Sequence, residues 1–158
     1  MQELAETYSD LEAYLEDEQL SGKVELVQEE RGIMVSFADQ VLFELGKADL
    51  GPHSKKLLRD LSAIIKPLPN QLRVEGHTDD LPIRTTQFPS NWELSTARAT
   101  GVVRYLVEEC GLPANKLSAA GYGQWRPRYP NDSPAHRAKN RRVDVVILRS
   151  GLSENEPD

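Results

Sequence analysis

Apolar residues recur along this chain in two rhythms, and the switches between them mark out the elements. In residues 2–20, Leu4, Tyr8, Leu11 and Leu15 follow one another at spacings of four, three and four among mostly acidic neighbours. That spacing predicts a helix with one narrow apolar stripe. A narrow stripe suits a linker helix docked on its own domain and equally a dimerisation helix, and both readings stand at this point. Ser21-Gly22 ends the helix. Residues 23–29 and 32–37 then alternate, with Val24 and Leu26 in the first run and Ile33, Val35 and Phe37 in the second. The tight turn around Glu30-Arg31 makes them a β-hairpin. After an irregular stretch to Gly51, Pro52 opens a helix whose Leu57, Leu58, Leu61, Ile64 and Ile65 fall at helical spacing before Pro67 and Pro69 stop it.

A short strand is expected at 72–75, with Gly76 as its break, followed by a proline-containing polar loop to Pro89. Ser90 and Glu93 have capping-box spacing, so a helix begins at Asn91 and runs to about Cys110. Ala99, Val102, Val103, Leu106 and Cys110 form its buried stripe; Asn91, Leu94, Ser95 and Arg98, at i, i+3, i+4 and i+7, share a second face. Gly111 and Pro113 stop it. A strand at 117–121, a proline-rich loop at 124–135, a short helix at 135–141 and an apolar last strand at 142–148 complete the order. The sequence therefore predicts an α/β two-layer sandwich, a mixed sheet with helices on one face. Its parts are an acidic linker helix (1–22), one domain (23–150) and a polar, disordered tail (151–158).

Charge sharpens this division. Residues 1–22 hold seven acids and no base, and 153–158 hold three acids; without those ten the net −6 becomes +4. The acidity belongs to the ends. The bases of the middle concentrate late, at Arg126, Arg128, Arg137, Lys139, Arg141 and Arg142. Such a cluster can meet phosphate or carboxylate, or simply form a solvated face of ion pairs. One cysteine, Cys110, excludes an internal disulfide and a cysteine-based zinc site. No apolar run is long enough for a transmembrane helix, so a protein acting outside the cytoplasm would have to contain this chain as a fragment.

The chemistry gathers in residues 72–98, where strand, polar loop and helix N-terminus follow one another, an arrangement that places ligands in α/β sheets. An amino-acid zwitterion needs an acid for its ammonium and a base for its carboxylate. Asp79 and Arg98 supply both, arginine because its fork can pair two oxygens at once, and the helix start near Asn91 adds N–H donors. An ion pair between Asp79 and Arg98 that merely pins the loop is the alternative. On the last strand, Arg141 shares a face with Val143 and can reach the loop after Gly76. His77 lies beside Asp79 and Asp80, but three histidines without metal-ligand spacing imply no metal, and no nucleophile sits in a Gly-x-Ser-x-Gly turn. Tyr122 and Trp125 offer stacking platforms for a sugar, or pack against the sheet edge.

Four stretches in order, 72–79 (LRVEGHTD), 91–99 (NWELSTARA), 117–127 (LSAAGYGQWRP) and 140–144 (NRRVD), resemble the OmpA-like peptidoglycan-binding domain over residues 35–148. The DDLPI element, the long loop after it and the segment FADQVLFELGKADL are similar to the MotB-type flagellar stator subunits. The resemblance implies a non-catalytic domain, without cofactor or metal, that grips the peptide stem of peptidoglycan at diaminopimelate. Asp79 and Arg98 match the positions that take its amine and carboxylate; Thr78, Asn91, Leu94, Asn140 and Arg141 match positions that line or brace the pocket. It further implies a homodimer, a MotA-type membrane partner reached through a missing N-terminal part, no nucleic acid, and a single-pass inner-membrane parent with this domain on the periplasmic side. The rival expectations are an OmpA-like anchor of a lipoprotein or outer-membrane protein unrelated to motility, a module whose pocket is covered by the 80–90 loop or helix 2–20, and, weakest, a wall hydrolase.

Overall fold

A computed structural model describes residues 3–151. Helix α1 (Ala5–Asp17) leads into the hairpin β1 (Val24–Glu29) and β2 (Gly32–Ala38), followed by a single turn α2 (Asp39–Leu42) and helix α3 (Pro52–Ile65). Then come β3 (Leu72–His77), α4 (Asn91–Glu108), β4 (Leu117–Gly121), α5 (Pro134–Asn140) and β5 (Arg142–Leu148). The sheet order is β1-β2-β5-β3-β4. All pairs are antiparallel except β3 with β4, which are parallel and joined through α4. This is the mixed sheet that the alternating rhythm predicts.

The period of two assigns the faces. Val24, Ile33, Val35, Phe37, Leu72, Val74, Val143, Val145 and Ile147 point to the side covered by helices and join Leu57, Leu58, Leu61, Ile65, Ala99, Val102 and Leu106 in one core. The opposite face carries a small apolar group, Met34, Val146 and Leu148, beside charged residues. Helix α1 is shorter than 2–20, and it has the docked arrangement: Leu4 and Leu11 are buried in the main core, and Tyr14 donates to Asp60 of α3 at 2.8 Å. The tail expected at 151–158 lies, from 152 on, outside the described residues.

Two details differ from expectation. The irregular stretch before Gly51 contains α2. Gly76 does not end β3, which continues to His77 paired with Arg142. The reason for glycine there is proximity: a β-carbon on Gly76 would lie 2.2 Å from the Ser95 carbonyl oxygen of α4. Gly121 on β4 is as tight, 2.2 Å from Thr96 Oγ1. The two glycines let α4 lie directly on the ends of β3 and β4.

Candidate functional site

The ends of β2, β3 and β5 meet the first turns of α4 at one end of the sheet. Because β5 lies between β2 and β3, the residues just past β2 and β3 and just before β5 converge there. A cavity of about 240 Å³ opens between them. Thr78, Asp79, Asn91, Leu94, Arg98 and Arg141 all line it, together with Asp39, Leu45, Gly46 and residues 81–83.

Arg98 reaches the cavity because it is one turn beyond Leu94 on the α4 face turned to the sheet end. Its guanidinium is nearly fully buried; Nε donates to the Lys47 carbonyl at 2.8 Å, Nη2 to the Glu44 carbonyl at 3.3 Å, and Nη1 pairs with Asp39 Oδ2 at 3.3 Å. The Phe43 ring stacks 4.7 Å beneath it. Arg141, between α5 and β5, pairs through Nη1 with Asp79 Oδ2 at 2.7 Å, and its Nε is 3.6 Å from Asp39 Oδ2. That Nε is buried and has no hydrogen-bond partner among the described residues. Asp79 Oδ1 accepts the Leu81 amide at 3.0 Å, which fixes the start of the loop. The direct Asp79–Arg98 ion pair offered by the sequence is not formed. Asp79 pairs with Arg141, and Arg98 with Asp39, so two acids and two bases alternate around the cavity.

Burial weighs on these charges. It pushes the Asp39 carboxyl above the ordinary aspartate range, against the attraction of Arg98 and Arg141. It also pulls the Arg98 guanidinium below its usual value, against the attraction of Asp39. Both groups have lost more hydration than their partner returns. Further charged or polar partners brought by a ligand therefore have groups here to act on.

The other expected residues divide into lining and bracing. Asn91 Nδ2 donates to the Leu81 carbonyl at 3.0 Å, tying α4 to the loop, while Ser90 caps the helix by accepting the Trp92 amide at 3.2 Å. Thr78 Oγ1 donates to the Asp79 carbonyl at 2.8 Å. Asn140 does not line the cavity. Fully buried, it accepts the amides of Arg128 and Tyr129 at 2.8 and 2.9 Å, and donates to Tyr129 O and Asn131 Oδ1. It shapes the loop before α5. Asp39 is the residue that sequence reading missed. Its signal was an acid directly after an alternating strand, informative only once β2 is known to be the neighbour of β5.

His77 and Tyr122 belong to a second group on the far face of the sheet. The His77 and Tyr122 rings stack at 5.2 Å, and Arg126 lies 4.5 Å over Tyr122, so Tyr122 is sandwiched and unavailable as a sugar platform. Donor atoms of Glu75, His77 and Asp144 come within 4.8 Å of one another. Arg31 already holds Glu75 by two bonds of 2.8 and 3.0 Å, and Arg142 holds Asp144 at 3.2 Å, with Arg128 at 3.8 Å. Three guanidiniums around two carboxylates repel a further cation. The late basic cluster resolves similarly into internal partners: Arg137 on Asp80 at 3.0 Å and Lys139 over the Tyr129 ring at 5.1 Å.

With this geometry in hand, residues 42–141 match the model of the OmpA family. The chain belongs to that family. It is moreover a MotB-type OmpA domain. It is 35% identical over 155 residues to Motility protein B of Bacillus subtilis, covering 97% of this chain and 59% of the relative. The crystal structure of a MotB-like protein from Desulfovibrio vulgaris superposes with a TM-score of 0.83 at 31% identity, over 91% of this chain and 92% of that one. The cell wall anchor of the T6SS from Pseudomonas aeruginosa superposes at 0.79 and 31% identity, over 88% and 97%. The chain spans under two thirds of the length of two curated relatives it matches, 57% and 59%. Among the described residues, no helix is long and apolar enough to cross a membrane.

Proposed function

We propose that this OmpA-family domain binds the peptide stem of peptidoglycan at its diaminopimelate zwitterion and so anchors a flagellar stator to the cell wall. The observation that carries the reading is the charge-balanced cavity, with Asp39 and Asp79 against Arg98 and Arg141. A zwitterion brings one charge of each sign and leaves that balance unchanged, whereas a simple cation or anion would upset it. Arg141 offers a buried donor without an acceptor, suited to a carboxylate oxygen. Asp79 faces the ammonium. The protein is a binder and not an enzyme in this reading: Thr78 spends its hydroxyl proton on a backbone carbonyl, and no base stands beside a nucleophile in the cavity.

The motor assignment rests on the Motility protein B relative and the MotB-like neighbour. Torque on a rotor requires a stationary partner, and a covalent mesh outside the membrane supplies one. In this reading the parent protein is a single-pass inner-membrane subunit with this domain on the periplasmic side, works as a homodimer, and joins a MotA-type subunit through a preceding segment. The likeness to a secretion-system cell wall anchor supports wall binding as the property common to the fold and leaves the motor to the sequence relatives.

The test is co-sedimentation with purified sacculi. Asp79→Asn keeps the shape and removes one charge; Arg98→Lys keeps the charge and removes the fork. Both should release the domain into the supernatant while retaining its circular dichroism, with a melting transition lowered by the lost buried pairs. Folded variants that still pellet like the wild type would refute the site.

A further inference from the structure

The sheet has two edges, and they are guarded differently. At one, β1 carries Glu25 and Glu29, and the outward amide of Val24 is already taken by the Leu20 carbonyl at 3.0 Å. Charge and a covered amide keep other strands away. At the other, β4 pairs only with β3. Its five residues, Leu-Ser-Ala-Ala-Gly, include no charge and no proline, and Ser118 and Ala119 are exposed. The Tyr122 amide donates to the Gly76 carbonyl at 3.0 Å, so by alternation the backbone groups of Ser118 and Ala120 also turn to β3. Those of Leu117, Ala119 and Gly121 turn outward, to the open side of the sheet.

This edge continues onto α4. An added β-carbon on Gly121 would lie 2.2 Å from Thr96 Oγ1 and 2.5 Å from the Thr96 amide nitrogen, so the helix rests directly on the strand. Along the helix at Thr96 runs an open groove of about 510 Å³, whose walls include Glu93, Ala97, Thr100, Gly101 and Arg104. The small side chains in its middle leave room for a second helix at the usual spacing of about 8–10 Å. The six positions are symmetric about their midpoint. Laid against an antiparallel copy, Thr96 meets Gly101, Ala97 meets Thr100, and Glu93 meets Arg104 at both ends. The strand has the same symmetry. With Ala119 opposite Ala119 of the copy, Leu117 faces Gly121 and Ser118 faces Ala120, and no like charges oppose one another. The two midpoints also fall together. The helix runs against β4 from the Thr96–Gly121 contact, and Ala119 lies about 7 Å back along the strand. Between four and five residues of helix, at about 1.5 Å each, cover that distance and end near Thr100, just past the midpoint of the stripe. One two-fold axis serves both elements.

We propose that a second copy of this chain docks here, β4 against β4 about Ala119 and α4 against α4, continuing the sheet across the axis. The proposal rests on the homodimer of the stator reading and gives that homodimer a surface. What selects a copy over an unrelated partner is that backbone register, small side chains and the Glu93 and Arg104 charges all complement themselves under one rotation. None of the six groove residues lines the cavity, so each copy keeps its own site.

Sedimentation of the full chain over a concentration series measures the dimer. Ala119→Pro removes an outward amide and none of the β3 ladder, and should weaken dimerisation by about tenfold or more. Arg104→Glu sets acid against Glu93 of the copy at both ends and should weaken it about three- to tenfold; adding Glu93→Arg should restore it. In a Cys110→Ser background, Ala119→Cys should oxidise to a linked dimer, because α-carbons paired at about 5.5 Å lie within disulfide range. A wild-type chain that stays monomeric at millimolar concentration overturns both the surface and the homodimer. A dimer untouched by Ala119→Pro and by Arg104→Glu, with no cross-link through Ala119→Cys, overturns the surface alone and leaves the homodimer to another face. Where Ala119→Pro loses its circular dichroism, the exposed charge reversal and its restoration decide.

Discussion

Substituting Gly76 by alanine tests the link between fold and site most directly. The added β-carbon would lie 2.2 Å from the Ser95 carbonyl oxygen and 2.9 Å from its carbon. An ordinary carbon–oxygen contact is about 3.3 Å, so α4 would have to retreat by about 1 Å at this point. The obstacle is helix backbone and has no rotamer to escape into. Overpacking of this kind costs about 1–3 kcal/mol, a drop of roughly 3–10 °C in Tm for a domain of this size. The same displacement carries Asn91, Leu94 and Arg98 away from Asp79 and Arg141, so binding to sacculi should weaken as well. Gly101 provides a control of opposite sign on the same helix. Its added β-carbon meets only the Ala48 carbonyl oxygen, at 3.6 Å, an ordinary contact. Gly101→Ala should therefore raise stability by up to about 1 kcal/mol through helix propensity and a less flexible unfolded chain. Thermal denaturation followed by circular dichroism reads both. If Gly76→Ala melts with the wild type, the close approach of α4 to β3 is not what demands glycine there.

Glu75 should give the domain an acid-sensitive element. Burial opposes its ionisation, but the His77 ring beside it and the two-point Arg31 pair override this and hold the carboxyl at about 2 against an ordinary 4.5. A depressed carboxyl stabilises fully above the ordinary range and loses that contribution as pH falls toward 2; the drop corresponds to on the order of 3 kcal/mol. Denaturant melts from pH 7 to pH 2 should show the loss in the wild type and a much flatter profile in Arg31→Ala. Asn140→Ala should cost about 2–3 kcal/mol by stranding buried amides, while the fraction that remains folded still pellets with sacculi. Deleting residues 1–22 removes Leu4, Leu11 and Leu20 from the core, at about 1.5–3 kcal/mol each. It should lower Tm steeply without increasing wall binding per folded molecule, because no described residue of that segment lines the cavity.

Much of this architecture was legible because burial follows period. The strands alternate, the helices repeat at three and four, and Arg141 could be placed on the core side from Val143 alone. What stayed hidden depended on neighbours in space. Asp39 has no marked partner in its own stretch; it becomes a site residue only because β5 separates β2 from β3 and brings Arg141 and Arg98 to it. Gly76 looked like a strand break because sequence cannot distinguish a glycine needed for backbone freedom from one needed for another element's approach. Asn140 stands beside Arg141 in sequence but projects into a different loop. The family resemblance fixed Asp79 and Arg98 as a pair of functions, and the structure separates them into two ion pairs.

That separation bears on how such an anchor would hold. Each base already has an acid: Arg141 has Asp79 at 2.7 Å, and Arg98 has Asp39 at 3.3 Å. An incoming zwitterion would exchange partners with these pairs more than it would fill unmet charge, so the net gain at one site is a difference between similar terms. Modest affinity per site follows. In the proposed homodimer, two linked domains would raise one another's effective concentration at the mesh. A single isolated domain should therefore bind a soluble stem peptide weakly and insoluble sacculi far more firmly when dimerised. Fusing two copies through a flexible linker and comparing their pelleting with that of the monomer measures the effect. Equal retention of monomer and fusion would show that the four charges act as one tight site and that the holding force does not come from multiplicity.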